Sequence, residues 1–195
     1  MLAAPSNTRM THGDYLAAEE ISPTKHEYVQ GEVFAMTGGT PEHSRLAAST
    51  SWALMNALRG KPCCVFNSDL RVRVEECDLT SYPDVTVVCG AVEFSTSDRN
   101  AVTNPIVLVE VLSPNTEAWD RGDKAAYYRR IPSLREYVLV AQDKPRIELF
   151  RRGEAGGWEF HEASTGEALQ LASLGVRLDV DEIYRNPLRD PAAQA

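Results

Sequence analysis

The run PIVLVEVLS, Pro105 to Ser113, constrains the fold more than any other part of the chain. It is short, rich in β-branched residues and apolar apart from one carboxylate, Glu110, at its centre. Such a run reads as a strand buried on both faces, which places it inside a sheet covered on either side. Alternate strand residues share a face, so Glu110 lies beside Leu108 and Leu112, while Val107, Val109 and Val111 face the other way. An ionised carboxylate in that position costs several kcal/mol or more unless something pairs with it. Glu110 therefore requires a partner.

At 195 residues the chain is long enough for one sizeable core and awkward for two. Its 43% hydrophobic and 25% charged residues are ordinary for a globular protein. No apolar run approaches the roughly 20 residues of a membrane helix, and the start MLAAPSNTRMTHGDY lacks an apolar core of secretory length. No membrane association and a cytoplasmic location are expected. The net charge of −8 argues against nonspecific coating of nucleic acid, while leaving room for a local basic groove. Cys63, Cys64, Cys77 and Cys89 could form two disulfides or one zinc site. With no CxxC pair among them, reduced and partly buried thiols are the expectation.

Residues 1–9 read as a disordered lead-in, 10–186 as one domain and 187–195 as a tail. Thr11 caps a helix to about Glu20, with Asp14 as the acidic half of a capping box. HEYVQGEVFAM reads as a hairpin turning at Gln30-Gly31. Thr40-Pro41 starts a helix that runs to about Arg59, with Leu46, Ala47, Ala53, Leu54, Ala57 and Leu58 on its buried face. CVFNSDLRVRVEE, DVTVVCG, EYVLVAQ, RIELFRR and WEFHEA supply further strands. A second helix spans Thr116 to about Arg130 and is closed by Ile131-Pro132. Strands and helices in this order describe an α/β or α+β sandwich with a mixed sheet.

Asp84 opens the strand before Glu110's and shares its face with Thr86 and Val88. If those strands are neighbours, Asp84 and Glu110 converge. Two carboxylates in a partly apolar setting are relieved by a shared proton or a divalent cation, and hard oxygen ligands suit Mg2+ or Mn2+. Lys124, on the helix leaving Glu110's strand, is placed to reach back toward them.

YPDVTVV, PIVLVEVLSPNT, DRGDKAAYYRR and REYVLV, in that order, resemble the Uma-type family, whose members carry the description "putative restriction endonuclease" within the PD-(D/E)XK nuclease superfamily. The likeness extends from Met10-Thr11 through EYVQGEVFAM and TPEHSRL to VRLDVDEIY. It implies a restriction-endonuclease-like mixed central sheet flanked by helices, with Asp84 and Glu110 as metal ligands. The superfamily's lysine usually stands two residues after the second acid, where this chain has Leu112. The resemblance moves that role to Lys124, within the pattern Asp120, three residues, lysine.

His43, on the core-facing side of its helix, either positions water or contacts the metal shell, or is a structural histidine. Glu27 matches a recurrent glutamate and is either a third acid of the cleft or a solvated strand residue. Arg71, Arg73, Arg121, Arg129, Arg130 and Arg135 could form a phosphate track, or be separate surface charges. The resemblance implies a Mg2+- or Mn2+-dependent endonuclease acting on DNA, as a homodimer. The alternative is a nuclease-fold module that has lost cleavage and binds nucleic acid or a protein.

Overall fold

The computed structural model describes residues 9–36 and 38–188. The expected lead-in, apart from Arg9, and the expected tail beyond Leu188 lie outside those residues. The chain opens with α1 (His12–Ile21), capped by Thr11, whose hydroxyl accepts the Asp14 N–H. The hairpin follows as β1 (His26–Val29) and β2 (Glu32–Ala35). It turns through Gln30 and Gly31, both at positive φ (50° and 92°), the geometry of a tight two-residue hairpin turn. Next comes α2 (Pro41–Ala57), capped by Thr40 with proline in its first turn.

Seven strands run up to and through the apolar core. They are β3 (Cys63–Asn67), β4 (Arg71–Val74), β5 (Leu79–Ser81), β6 (Val85–Cys89), β7 (Ala101–Val102), β8 (Val107–Val111) and, after the helical crossover, β9 (Glu136–Val140). A short 3-10 turn, Glu75–Cys77, separates β4 from β5. The chain closes with β10 (Arg146–Arg152), β11 (Trp158–Ser164), β12 (Ala168–Leu171), β13 (Val176–Asp179) and α5 (Val180–Tyr184).

The crossover is not the continuous helix expected from Thr116 to Arg130. It is broken into α3 (Glu117–Arg121) and α4 (Asp123–Tyr128). Gly122 sits at the break, and a Cβ there would come within 2.8 Å of the Ala118 carbonyl oxygen, so only glycine fits without a shift.

A six-stranded mixed sheet of order β11-β10-β9-β8-β6-β3 forms the centre; β8 pairs parallel with β9 and antiparallel with β6. The second sheet has order β2-β1-β5-β4-β7, and β12-β13 is a separate hairpin. Strand β8 separates two cores, as its alternation requires. Val107, Val109 and Val111 pack with Leu46 and Leu54 of α2 and with the β12-β13 and α5 segment. Leu108 and Leu112 pack with Ala125 and Tyr128 of α4 and with Val72, Val74 and Leu79 of the second sheet. The result is a mixed central sheet flanked by helices, in which Glu110 points into the core on the α4 side. Among the described residues, no helix is long and apolar enough to cross a membrane.

The expectation of four reduced cysteines fails. Cys63 and Cys89 are joined in a disulfide, leaving only Cys64 and Cys77 as free thiols. The two lie 26 residues apart in sequence, but antiparallel pairing of β3 with β6 sets them directly opposite, with Cα atoms 4.0 Å apart. Four of the six arginines considered for a phosphate track are paired with acids. Arg71 pairs with Asp98, Arg121 with Glu117 and Glu148, and Arg130 with Glu76. Arg73, only 6% exposed, pairs with Asp78 and Glu75. These cations are spent on neighbouring carboxylates.

The disulfide closes a 26-residue separation, so reduction is expected to cost about 3–4 kcal/mol on the chain-entropy model. Urea unfolding with and without reductant measures it. Thiol titration in denaturant should find two reactive cysteines before reduction and four after it; four before reduction would refute the pairing.

Candidate active site

In the antiparallel pair of β6 and β8, Val85 stands opposite Val109 and Thr86 opposite Leu108. Asp84, the residue before β6, is thereby delivered to the Glu110 end of β8. Both line one cleft of about 170 Å³, together with Glu27, His43, Asp120 and Lys124. The structure thus brings together all five residues singled out in the sequence: Asp84, Glu110, Lys124, His43 and Glu27.

The two acids are held in the same manner. Asp84 Oδ2 accepts the Val111 N–H at 2.7 Å and lies 3.3 Å from His43 Nε2. Glu110 Oε1 accepts the Tyr128 hydroxyl at 2.9 Å and lies 2.8 Å from Lys124 Nζ. In each carboxylate the other oxygen takes no hydrogen bond among the described residues.

The partner that Glu110 requires is Lys124, and the ammonium is shared. Nζ also lies 2.8 Å from Glu27 Oε1 and 3.4 Å from Asp120 Oδ1. Glu27 is buried, not solvated; its second oxygen accepts Trp119 Nε1–H at 3.2 Å, while Oε1 accepts no hydrogen bond and faces the ammonium alone. Leu112, where the superfamily usually carries its lysine, is 3% exposed and packed in the α4-side core. Lys124 reaches the same face of β8 from α4.

Counting Asp84, the cleft gathers four carboxylates against one lysine and one histidine. Burial drives the Glu110 carboxyl well above the usual range; Lys124 opposes this, while Asp120, Asp84 and Glu27 add to it. Asp120 is raised for the same leading reason, burial, again opposed by Lys124. For Lys124, burial pulls the pKa down, but Glu110 and Glu27 outweigh it and hold the ammonium charged. Its hydrogen bond to Asp84 raises the His43 imidazole against the effect of its partial burial.

His43 owes its place to local structure. Thr40 caps the helix through the His43 N–H, and Gly39 passes so close that a Cβ there would fall 2.7 Å from His43 Nδ1. Two members of the site went unassigned in the sequence: Asp120 and Tyr128. The spacing of Asp120 four residues before Lys124 was the available signal. Tyr128 gave none, because its role depends on where α4 packs.

Among the described residues, no group of three or more His, Cys, Asp or Glu side chains forms a metal cage. The donor set still fits a magnesium-type ion. Such an ion takes one or two carboxylates and fills its other positions with water and phosphate oxygens. Asp84 and Glu110 each keep one oxygen without a hydrogen-bond donor among the described residues, in a cleft where negative charge is in excess.

A crystal structure from Anabaena variabilis ATCC 29413, described as "a putative nuclease belonging to DUF820", shares this fold. Its TM-score is 0.72 at 14% identity, over 90% of this chain and 97% of that one. Two uncharacterized proteins of Synechocystis sp. (strain ATCC 27184 / PCC 6803 / Kazusa) are similar in sequence. The one named slr1290 is 36% identical over 180 residues, 91% of this chain and 92% of its own length. The other, sll1609, is 33% identical over 152 residues, 78% of this chain and 86% of its own length. Residues 13–181 match the family model described as "Putative restriction endonuclease", and the chain belongs to that family, Uma2.

Proposed function

We propose that this chain is a metal-dependent endonuclease that hydrolyses phosphodiester bonds in DNA, with Mg2+ or Mn2+ held by Asp84 and Glu110. The observation that carries the reading is the matched pair of half-occupied carboxylates, one just before β6 and one on the adjacent β8, turned to one cleft with an excess of acid. When bound, the ion supplies Lewis-acid polarisation of a phosphate oxygen and a more acidic water. The chain's residues do the rest. Val111 N–H and His43 hold Asp84 in place, and Lys124 offsets the charge of Glu110. Lys124 supplies positive charge where negative charge grows on the phosphate, and orients the attacking water. Its contact with Asp120, the longest of its three at 3.4 Å, is the one most readily exchanged for water or a phosphate oxygen. A homodimer would suit two cuts on two strands.

One observation favours a second reading, a nuclease-fold module that binds nucleic acid or protein without cutting it. The Lys124 ammonium is surrounded by three carboxylates. Calorimetric titration with Mg2+ and Mn2+, together with assays on duplex, branched and single-stranded DNA with metal or chelator, separates the two. Metal binding with chelator-sensitive cleavage is expected. Binding of DNA without metal and without cleavage would favour the module.

Glu110→Gln should abolish magnesium binding. Removing one of four crowded carboxylates should also raise the metal-free melting temperature, by roughly 2–4 °C if the relief is about 1 kcal/mol. Melting curves with and without Mg2+ read both effects. A lower metal-free melting temperature with intact magnesium binding would make Glu110 a purely structural acid.

Lys124→Ala should lower cleavage about 10²–10³-fold while keeping most magnesium affinity, since the acids supply the ligands and the lysine acts on water and developing charge. It should also destabilise the metal-free protein by about 3–5 kcal/mol, because the buried acids lose their shared cation. Single-turnover cleavage and denaturant unfolding test the two effects. Undiminished cleavage in this variant would assign the work to another group, with His43 the nearest candidate.

A further inference from the structure

Glu110 Oε1 meets two groups from one helix, Lys124 Nζ and the Tyr128 hydroxyl, one turn apart on α4. The lysine divides its charge among three acids and fixes none of them in direction. The tyrosine differs. It is fully buried, and its ring stands edge-on to Tyr137 with centroids 5.3 Å apart. Its hydroxyl has two neighbours, Glu110 Oε1 at 2.9 Å and Ser81 Oγ at 3.0 Å. In the ionised form that binds a cation Glu110 only accepts, so the single Tyr128 hydroxyl proton then goes to Glu110, and Ser81 donates to Tyr128. The relay therefore has one sense. It runs from β5 of the second sheet, through α4, to β8 of the central sheet.

Carboxylate rotation about its last side-chain bond is soft, with a broad profile and no staggered wells. A stiff ring delivering one proton to Oε1 removes that freedom and leaves Oε2 as the oxygen without a protein donor. We infer that Tyr128 is a positioning residue of the metal site, fixing Glu110 by one oxygen so that the other is presented to the cation, while Ser81 donates in turn to the tyrosine oxygen. This inference rests on the metal-site reading above. It goes beyond that reading in assigning ligand orientation to a tyrosine outside the acids and the lysine.

Tyr128→Phe removes one oxygen and keeps the ring. Calorimetric titration of the purified chain should show magnesium affinity weakened about 10–100-fold, the usual effect of losing a hydrogen bond behind a metal ligand. Tyr137→Phe is the matched control. That tyrosine is equally buried, but its hydroxyl donates to the Asp120 backbone carbonyl and to no carboxylate. It should leave magnesium affinity within a few-fold of the parent. A folded Tyr128→Phe that binds magnesium as tightly as the parent overturns the inference, as does an equal loss in Tyr137→Phe. If Tyr128→Phe does not fold, Tyr128→Met, which also lacks the hydroxyl donor to Glu110, carries the test. Unchanged affinity in a folded Tyr128→Met overturns the inference. A parent chain that binds neither Mg2+ nor Mn2+ overturns the metal reading, and this inference with it.

Discussion

A carboxylate buried in the centre of an apolar strand is the constraint around which this molecule is arranged. Glu110 is 5% exposed, so little of its charge is stabilised by bulk solvent. The answer is a lysine that is itself 4% exposed and is drawn between Glu110, Glu27 and Asp120. Desolvating so many charges costs more than a single pair returns, so the arrangement is poor as a stabilising device. On the metal-site reading proposed above, it is a site short of positive charge that a divalent cation would complete.

The fold is built to hold that site from several sides. Glu27 comes from β1 of the second sheet, Glu110 from β8 of the central sheet, and Lys124 and Tyr128 from α4 between them. The break at Gly122 falls between Asp120 in α3 and Lys124 in α4, and the two side chains still meet at 3.4 Å. The neighbouring polar groups are spent internally. Buried Glu136 shows the pattern away from the site: it accepts Arg151 Nε–H at 3.1 Å and the Ala172 N–H at 2.8 Å, tying β9 and β10 to the turn after β12. Arg71 and Arg73 are likewise paired with acids, which fits a chain with net charge −8 and no continuous cationic surface from these residues.

Much of this was legible in the sequence where the signal was local. Thr11 and Thr40 cap helices because a hydroxyl before a helical run can satisfy a free N–H. Gln30-Gly31 turns a hairpin because those residues tolerate positive φ. The two-faced burial of PIVLVEVLS followed from its composition. Local signals failed where a strand was very short, as at β5 and β7, or polar on one side, as at β12 and β13. They also failed at the helical crossover, where propensity favours continuity and the Gly122 backbone does not follow it.

For the site, the sequence by itself determined which groups were chemically out of place: an acid in an apolar strand, an acid opening the strand before it, and a lysine on the next helix. Period-two alternation also determined that Glu110 faces away from Val109 and Val111. Only the tertiary structure decided the partners. That Lys124 serves three acids, that the Tyr128 hydroxyl meets Glu110, and that Cys63 meets Cys89 all depend on contacts that residue spacing does not record, because strand order and helix packing set them through the burial of whole faces.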